Sequence, residues 1–221
     1  MKLTFHTRAL RAALAALLAV LAFSGFGGAL RAATFSSSTT APVVHSTDVA
    51  NLAAQTGTDK WFFQSANEAN PSDAAKGQTF TTGAAALRLK SLTFKISAGN
   101  LKAAPTTWTI RVGTLSGANF SLLASEQATQ TVTTATGAYM TWTLATPLTL
   151  APNTTYAVDV GMVSGVAWTT GIPYLSYSGN VTTTGVGIYY DSGDLGAGAA
   201  TVTTTAARDR VFHVKVPFVF G

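Results

Sequence analysis

Five aromatic residues, Trp168, Tyr174, Tyr177, Tyr189 and Tyr190, fall in a Gly- and Thr-rich stretch between positions 168 and 190. Indole and phenol faces stack on sugar rings, and neighbouring Asn, Asp and Thr groups can bond sugar hydroxyls. The cluster is therefore a candidate glycan-binding surface. The plainer alternative is that Tyr189 or Tyr190 points inward, because neighbours on a strand face opposite ways. Directly after them, Asp191-Ser192-Gly193-Asp194 places two carboxylates on a turn. Hard oxygen ligands on a turn suit calcium, so Asp191 and Asp194 are candidate ligands for a structural ion. The same tetrapeptide is ordinary turn chemistry, since Asx side chains bond their own backbone.

The remaining reactive groups are few. The chain has no cysteine, which excludes a thiol nucleophile, a thiolate metal site and a disulfide framework. His6, His45 and His213 are the only histidines, and no Gly-x-Ser-x-Gly pattern accompanies them. His213 falls on the polar phase of a terminal strand, which predicts a solvent-facing or loop-bonded side chain. Glu68 and Glu126 are the only glutamates, and nothing in the spacing of the acids marks a carboxylate pair for glycoside hydrolysis. Asp159 sits on the polar phase of its strand. Asp209, between Arg208 and Arg210, is expected to form surface pairs of small energetic value. The inventory predicts a protein that is not an enzyme, without cofactor apart from the calcium just named.

These groups must be carried by strands. Trp108, Ile110 and Val112 alternate with polar or small residues, as do Met140, Trp142 and Leu144. Tyr156, Val158, Val160 and Met162 follow the same period of two, and so do Phe212, Val214, Val216, Phe218 and Phe220. Trp108, Trp142, Tyr156, Phe94 and Phe212 fall on the apolar phases and are predicted core. Leu87 and Leu89 are apolar at odd positions, whereas Leu92, Phe94 and Ile96 are apolar at even ones. A one-residue slip reverses every side chain, so a bulge is predicted near Lys90-Ser91. Turn signals such as Ser116-Gly117-Ala118-Asn119 and Ala151-Pro152-Asn153 separate the strands. The expectation is an all-β protein: an antiparallel, jelly-roll-like β-sandwich of about nine or ten strands, with a closed barrel as runner-up.

The N-terminus supplies an address. Lys2, Arg8 and Arg11 precede an apolar run from Ala12 to Phe23 and then small residues, the layout of a secretory signal peptide. The run is short for a bilayer span. Residues 1–32 are thus expected to be a signal-peptide helix, 33–57 a flexible Ser/Thr/Ala-rich leader able to add one edge strand, and 58–221 a single sandwich domain. Four of the fourteen Lys and Arg residues lie in the signal, so ten remain against nine acids. The basic balance belongs to the targeting segment, and nucleic acid is excluded as an expected partner.

With the strands placed, a resemblance emerges. Gly77-Gln78-Thr79-Phe80-Thr81-Thr82-Gly83 followed by Leu92-Thr93-Phe94, then Leu148 to Val158, then Asp209-Arg210-Val211-Phe212-His213-Val214, resemble exported bacterial β-sandwich domains of the choice-of-anchor type associated with PEP-CTERM-like sorting tails. The resemblance covers most of residues 60–216, rests on turns and strand openings, and brings no catalytic residue with it. It implies a secreted or cell-surface location. No hydrophobic sorting tail follows Phe218-Val219-Phe220-Gly221, a departure from the family pattern. The function expected is an extracellular structural or adhesion module. The alternative is a carbohydrate-binding module built on residues 168–191. An extracellular polysaccharide or a cell-surface component is the expected partner, with no membrane span once the signal is cleaved.

Overall fold

A computed structural model describes residues 32–60, 76–98, 105–131, 136–164, 174–178, 187–190, 199–205 and 209–216. The alternating segments form fourteen strands among them. The first five are β1 (Thr34–Ser38), β2 (Val49–Asn51), β3 (Gly57–Lys60), β4 (Lys76–Thr81) and β5 (Leu87–Ala98). Next come the long strands β6 (Pro105–Ser116), β7 (Asn119–Thr131), β8 (Tyr139–Leu150) and β9 (Thr155–Ser164). The chain continues with β10 (Tyr174–Ser178), β11 (Gly187–Tyr190), β12 (Ala199–Thr205), β13 (Asp209–Arg210) and β14 (Phe212–Lys215). The count exceeds the nine or ten expected because five of these strands have four residues or fewer, too short to leave a periodic signature.

Two antiparallel sheets pack into a β-sandwich. In one layer β1, β8, β5 and β14 follow in order, and β2 lies outside β14. In the same layer β10 continues alongside β5 and carries β3 and β13. The other layer runs β11, β12, β7, β6, β9, β4, and β11 pairs with β4 as well, so that this sheet closes on itself. The sandwich and the closed barrel considered as alternatives thus coexist in one molecule. Of the segment expected to be a signal peptide, 1–32, residues 1–31 lie outside the described residues.

Cross-strand register fixes which side chains meet. Gln78, Val158 and Val112 stand opposite one another, as do Val160 and Ile110, and Phe80 and Tyr156. These residues face the first sheet and, apart from Gln78, join Leu92, Phe94, Met140, Trp142, Phe212 and Val214 in the core. All five predicted core aromatics, Phe94, Trp108, Trp142, Tyr156 and Phe212, are buried there. Trp108 and Trp142 meet edge-on with ring centres 5.7 Å apart. Phe35 from β1 stacks on Trp108 at 6.1 Å and tilts against Trp142 at 5.2 Å. The phase change in β5 is resolved as predicted, by a register shift between Leu89 and Ser91 against β8.

Turns end the strands where the sequence signals them. Gly117, with φ of 58°, makes the tight β6–β7 turn, and Asn153, with φ of 48°, makes the β8–β9 turn. Across the latter turn the Ala151 N–H donates to the Tyr156 hydroxyl at 2.7 Å, a tyrosine corner that fixes the angle between the layers.

A second register shift separates Val112 from Gly113, where β7 spends Leu123 as the extra residue and turns it half outward. Gly113 is packed beneath the Phe120 ring, and a Cβ built there would lie 2.2 Å from it. Gly113→Ala is expected to lower the unfolding free energy by about 1–3 kcal/mol through overpacking, measured by urea denaturation. Gly117→Ala, which meets open space, tests the separate cost of a positive φ.

The segment expected to be a flexible leader with at most one edge strand contributes three strands to the first sheet, of which β1 is the edge strand. β1 pairs with β8, β2 with β14 and β3 with β10. Composition suggested a linker because its strands are short and polar. They are held by pairing to longer strands, which local composition does not record. Ala32 to Gly221 form a single unit.

Candidate functional site

Of the five aromatics proposed for glycan stacking, Trp168 lies outside the described residues, as do the candidate calcium ligands Asp191 and Asp194. Tyr174 and Tyr177 lie on β10, where Tyr174 pairs with Lys60 and Tyr177 with Gly57. Tyr189 and Tyr190 lie on β11, opposite Thr203 and Val202. Four of the five are thus strand residues, two in each sheet. Tyr177 is half-buried and its ring covers Gly57, where a Cβ would meet the ring. Among the described residues no group of three His, Asp or Glu side chains gathers to hold a metal ion.

The acids and bases that the sequence placed on wet faces are buried and joined to each other. Arg111 of β6 and Asp159 of β9 are direct cross-strand partners. Nε and Nη2 of Arg111 donate to Asp159 Oδ1 at 2.9 and 2.7 Å, and both side chains are almost wholly buried. Ala157, Thr79 and Thr109 are buried on the same face. This is the face turned away from the sandwich core, and it would be solvated if the sheet were open. Here the sheet closes through β12 and β11, which puts the ion pair inside the ring. Asp159 is therefore a buried strut rather than a surface group.

A second polar cluster ties the layers together. Gln78 of β4 donates from Nε2 to Asp209 Oδ1 at 3.2 Å and accepts from the Arg210 N–H at 2.9 Å. Asn51 of β2 donates to Ser178 Oγ at 2.6 Å and to the Arg210 carbonyl at 3.0 Å. Asp209 and Arg210, expected to be surface groups, are fully buried. They fall on β13, which pairs with β10 in the first sheet and meets Gln78 of the ring layer, a position that a two-residue strand does not announce. At another edge Glu126 accepts from the Ala145 N–H at 2.6 Å and bridges β7 to β8. The other glutamate, Glu68, lies outside the described residues.

The third cluster corrects the exposure expected for His213. The chain from Ser38 to Val49 crosses the outer face of the first sheet, and beneath it His213 and Thr93 are buried. Asp48, in the turn that ends this crossing, accepts from His213 Nε2 and from the His45 and Val216 N–H groups, each at 2.9 Å. His213 is thus bonded to a loop, as one of the two sequence alternatives held, but it is not solvent-facing. Burial alone would raise the Asp48 carboxyl, yet the two backbone N–H groups and the imidazole together hold it below the ordinary carboxylate range.

A carboxyl depressed in the folded state contributes stability above its unfolded value and loses it as pH falls through the folded value. The unfolding free energy is therefore expected to decline on acidification from about pH 4 downward. Asp48→Asn should flatten that part of the profile. It should also cost on the order of 1–3 kcal/mol at neutral pH, because buried donors lose an acceptor.

Asn51 and Gln78 were not anticipated, and Arg111 and Asp159 were not anticipated as a pair. For the pair a signal was present. Ala157, Gly161 and Gly113 flank the two charges on their own strand phases, and a solvated face seldom carries small residues throughout.

The fold and its polar clusters define an antiparallel β-sandwich protein with one closed layer and buried, cross-linked polar groups. Comparison with protein-family models, with curated proteins and with solved structures found no match.

Proposed function

We propose that the chain is an exported, non-enzymatic β-sandwich serving as a structural or adhesion module outside the cell, of the choice-of-anchor kind that its turns and strand openings resemble. One observation carries this reading. The described groups best suited to acid–base chemistry, Asp48, Glu126, Asp159, Asp209 and His213, act as braces between strands and layers. A scaffold braced in this way resists deformation without disulfides. That suits a module that bears load or presents a surface.

The test is to express the full chain in a bacterial host and follow it by fractionation. The expected result is export with loss of the N-terminal segment, retention with cell-surface or matrix material, and no turnover of polysaccharide or ester substrates. Cytoplasmic retention or reproducible turnover would overturn the proposal.

A carbohydrate-binding module is the second reading. What supports it is the gathering of Trp168, Tyr174, Tyr177, Tyr189 and Tyr190 in one Gly- and Thr-rich stretch of the sequence, a composition suited to stacking on sugar rings. Extracellular polysaccharide would be its partner, with Asp191 and Asp194 offered to calcium. Pull-down on insoluble polysaccharides, with and without chelator, discriminates the two. Retention that is lost in Trp168→Ala supports the module, and absence of retention on every polymer removes it.

A further inference from the structure

We propose that β1 is exchanged between copies of this chain, so that Thr34–Ser38 of one molecule pairs with β8 of a second copy. The strand lies at the edge of its sheet and, among the described residues, pairs only with β8, through five registered residues from Thr34↔Thr143 to Ser38↔Tyr139. Four of its five residues are exposed, and the fifth, Phe35, seats between Trp108 and Trp142. The slot is therefore built by β6 and β8, and the plug by β1 with the neighbouring Ala33. Nothing in the slot requires that plug and slot belong to the same molecule.

The connection supplies the reach. β1 and β2 lie on opposite sides of β8, β5 and β14, so residues 39–48 cross four strand spacings, about 19 Å. Ten extended residues span up to about 33 Å, which leaves slack for the arm to turn outward. Asp48 clamps the far end through His213 and the Val216 N–H, so that end is fixed while the segment before it is mostly exposed. Val43 is 74 % exposed and Val44 46 % exposed; with Leu123 they are the exposed large apolar side chains among the described residues. In an exchanged pair the two crossing segments run beside each other, and these valines cover one another. Exchange of an identical element is a low-cost route to association, because every contact of the closed monomer is remade.

The absence of cysteine makes the test clean. Ser36 and Thr141 are direct cross-strand partners, and such pairs lie about 4.5–5.5 Å apart at Cα, within disulfide range. Full chains carrying Ser36→Cys alone and Thr141→Cys alone are unfolded together, refolded, oxidised and separated without reductant. A mixture of Leu123→Cys and Thr141→Cys chains reports random collision. Exchange predicts a 36–141 linked pair at least tenfold above that control, rising with protein concentration. A 36–141 yield equal to the control, alongside complete intramolecular closure in the Ser36→Cys/Thr141→Cys double variant, would overturn it. If either substitution blocks folding, Thr34→Cys and Thr143→Cys ask the same question two pairs along the register.

Discussion

Arg111→Ala is expected to lower the free energy of unfolding by about 3–5 kcal/mol, because it leaves the Asp159 carboxylate buried with no counter-charge. The size follows from location. An exposed pair of this kind would be worth less than about 1 kcal/mol, since water screens both partners in either state. Inside the ring Asp159 Oδ1 receives both donated hydrogen bonds from Arg111, while Oδ2 has no hydrogen-bond partner among the described residues. Removing the guanidinium takes away the contacts that offset desolvation of the acid. The urea midpoint should fall by about 2 M for a slope near 2 kcal/mol/M. A double variant, Arg111→Met with Asp159→Leu, separates the charge effect from the space effect. Replacing both ions by apolar groups of similar volume is often neutral or stabilising. The double variant should therefore recover most of the loss. A double variant as unstable as Arg111→Ala would show that the ring needs the ion pair itself to close.

Trp142→Ala is expected to cost a similar 3–5 kcal/mol for a different reason. Its side chain is fully buried and touches rings from three other strands: Phe35 of β1, Phe94 of β5 and Trp108 of β6. Truncation opens a cavity where the two layers and the edge strand meet, and strands paired along their whole length collapse into it only partly. Near-ultraviolet circular dichroism should lose much of its aromatic signal while the far-ultraviolet sheet signal persists. Phe35→Ala should cost less, because Phe35 is only half-buried. The two losses should fall short of additive by more than about 0.5 kcal/mol, since the rings share a contact. Additive losses would mean that the Phe35–Trp142 contact contributes little.

Much of the fold was legible because period-2 alternation is a local signal. It placed Trp108, Trp142, Tyr156, Phe94 and Phe212 in the core and located the β5 bulge between Leu89 and Ser91. What remained hidden was coverage of the second face of each sheet. Alternation says that Asp159 and His213 lie opposite the core, but not that β12 and β11 will close over one and residues 39–48 will cross the other. Those coverings come from segments distant in sequence, and their own strands are short. The same limit explains β1 to β3, which composition marked as linker and pairing makes into sheet. The aromatic cluster was legible as composition only. Its strands β10 and β11 belong to different layers, and nothing local in the sequence assigns a strand to a layer.

The closure of β11 onto β4 also governs how this molecule comes apart. An open sheet can fray one strand at a time from its border, and each detached strand offers a protease an extended segment. A ring has no border from which to begin. The amides shared by β6 and β9, flanked on both sides by paired strands, should therefore exchange with deuterated solvent only when the whole layer opens, at the rate of global unfolding. For a chain with no disulfide to limit such opening, resistance to digestion resides in the connectivity of its hydrogen bonds.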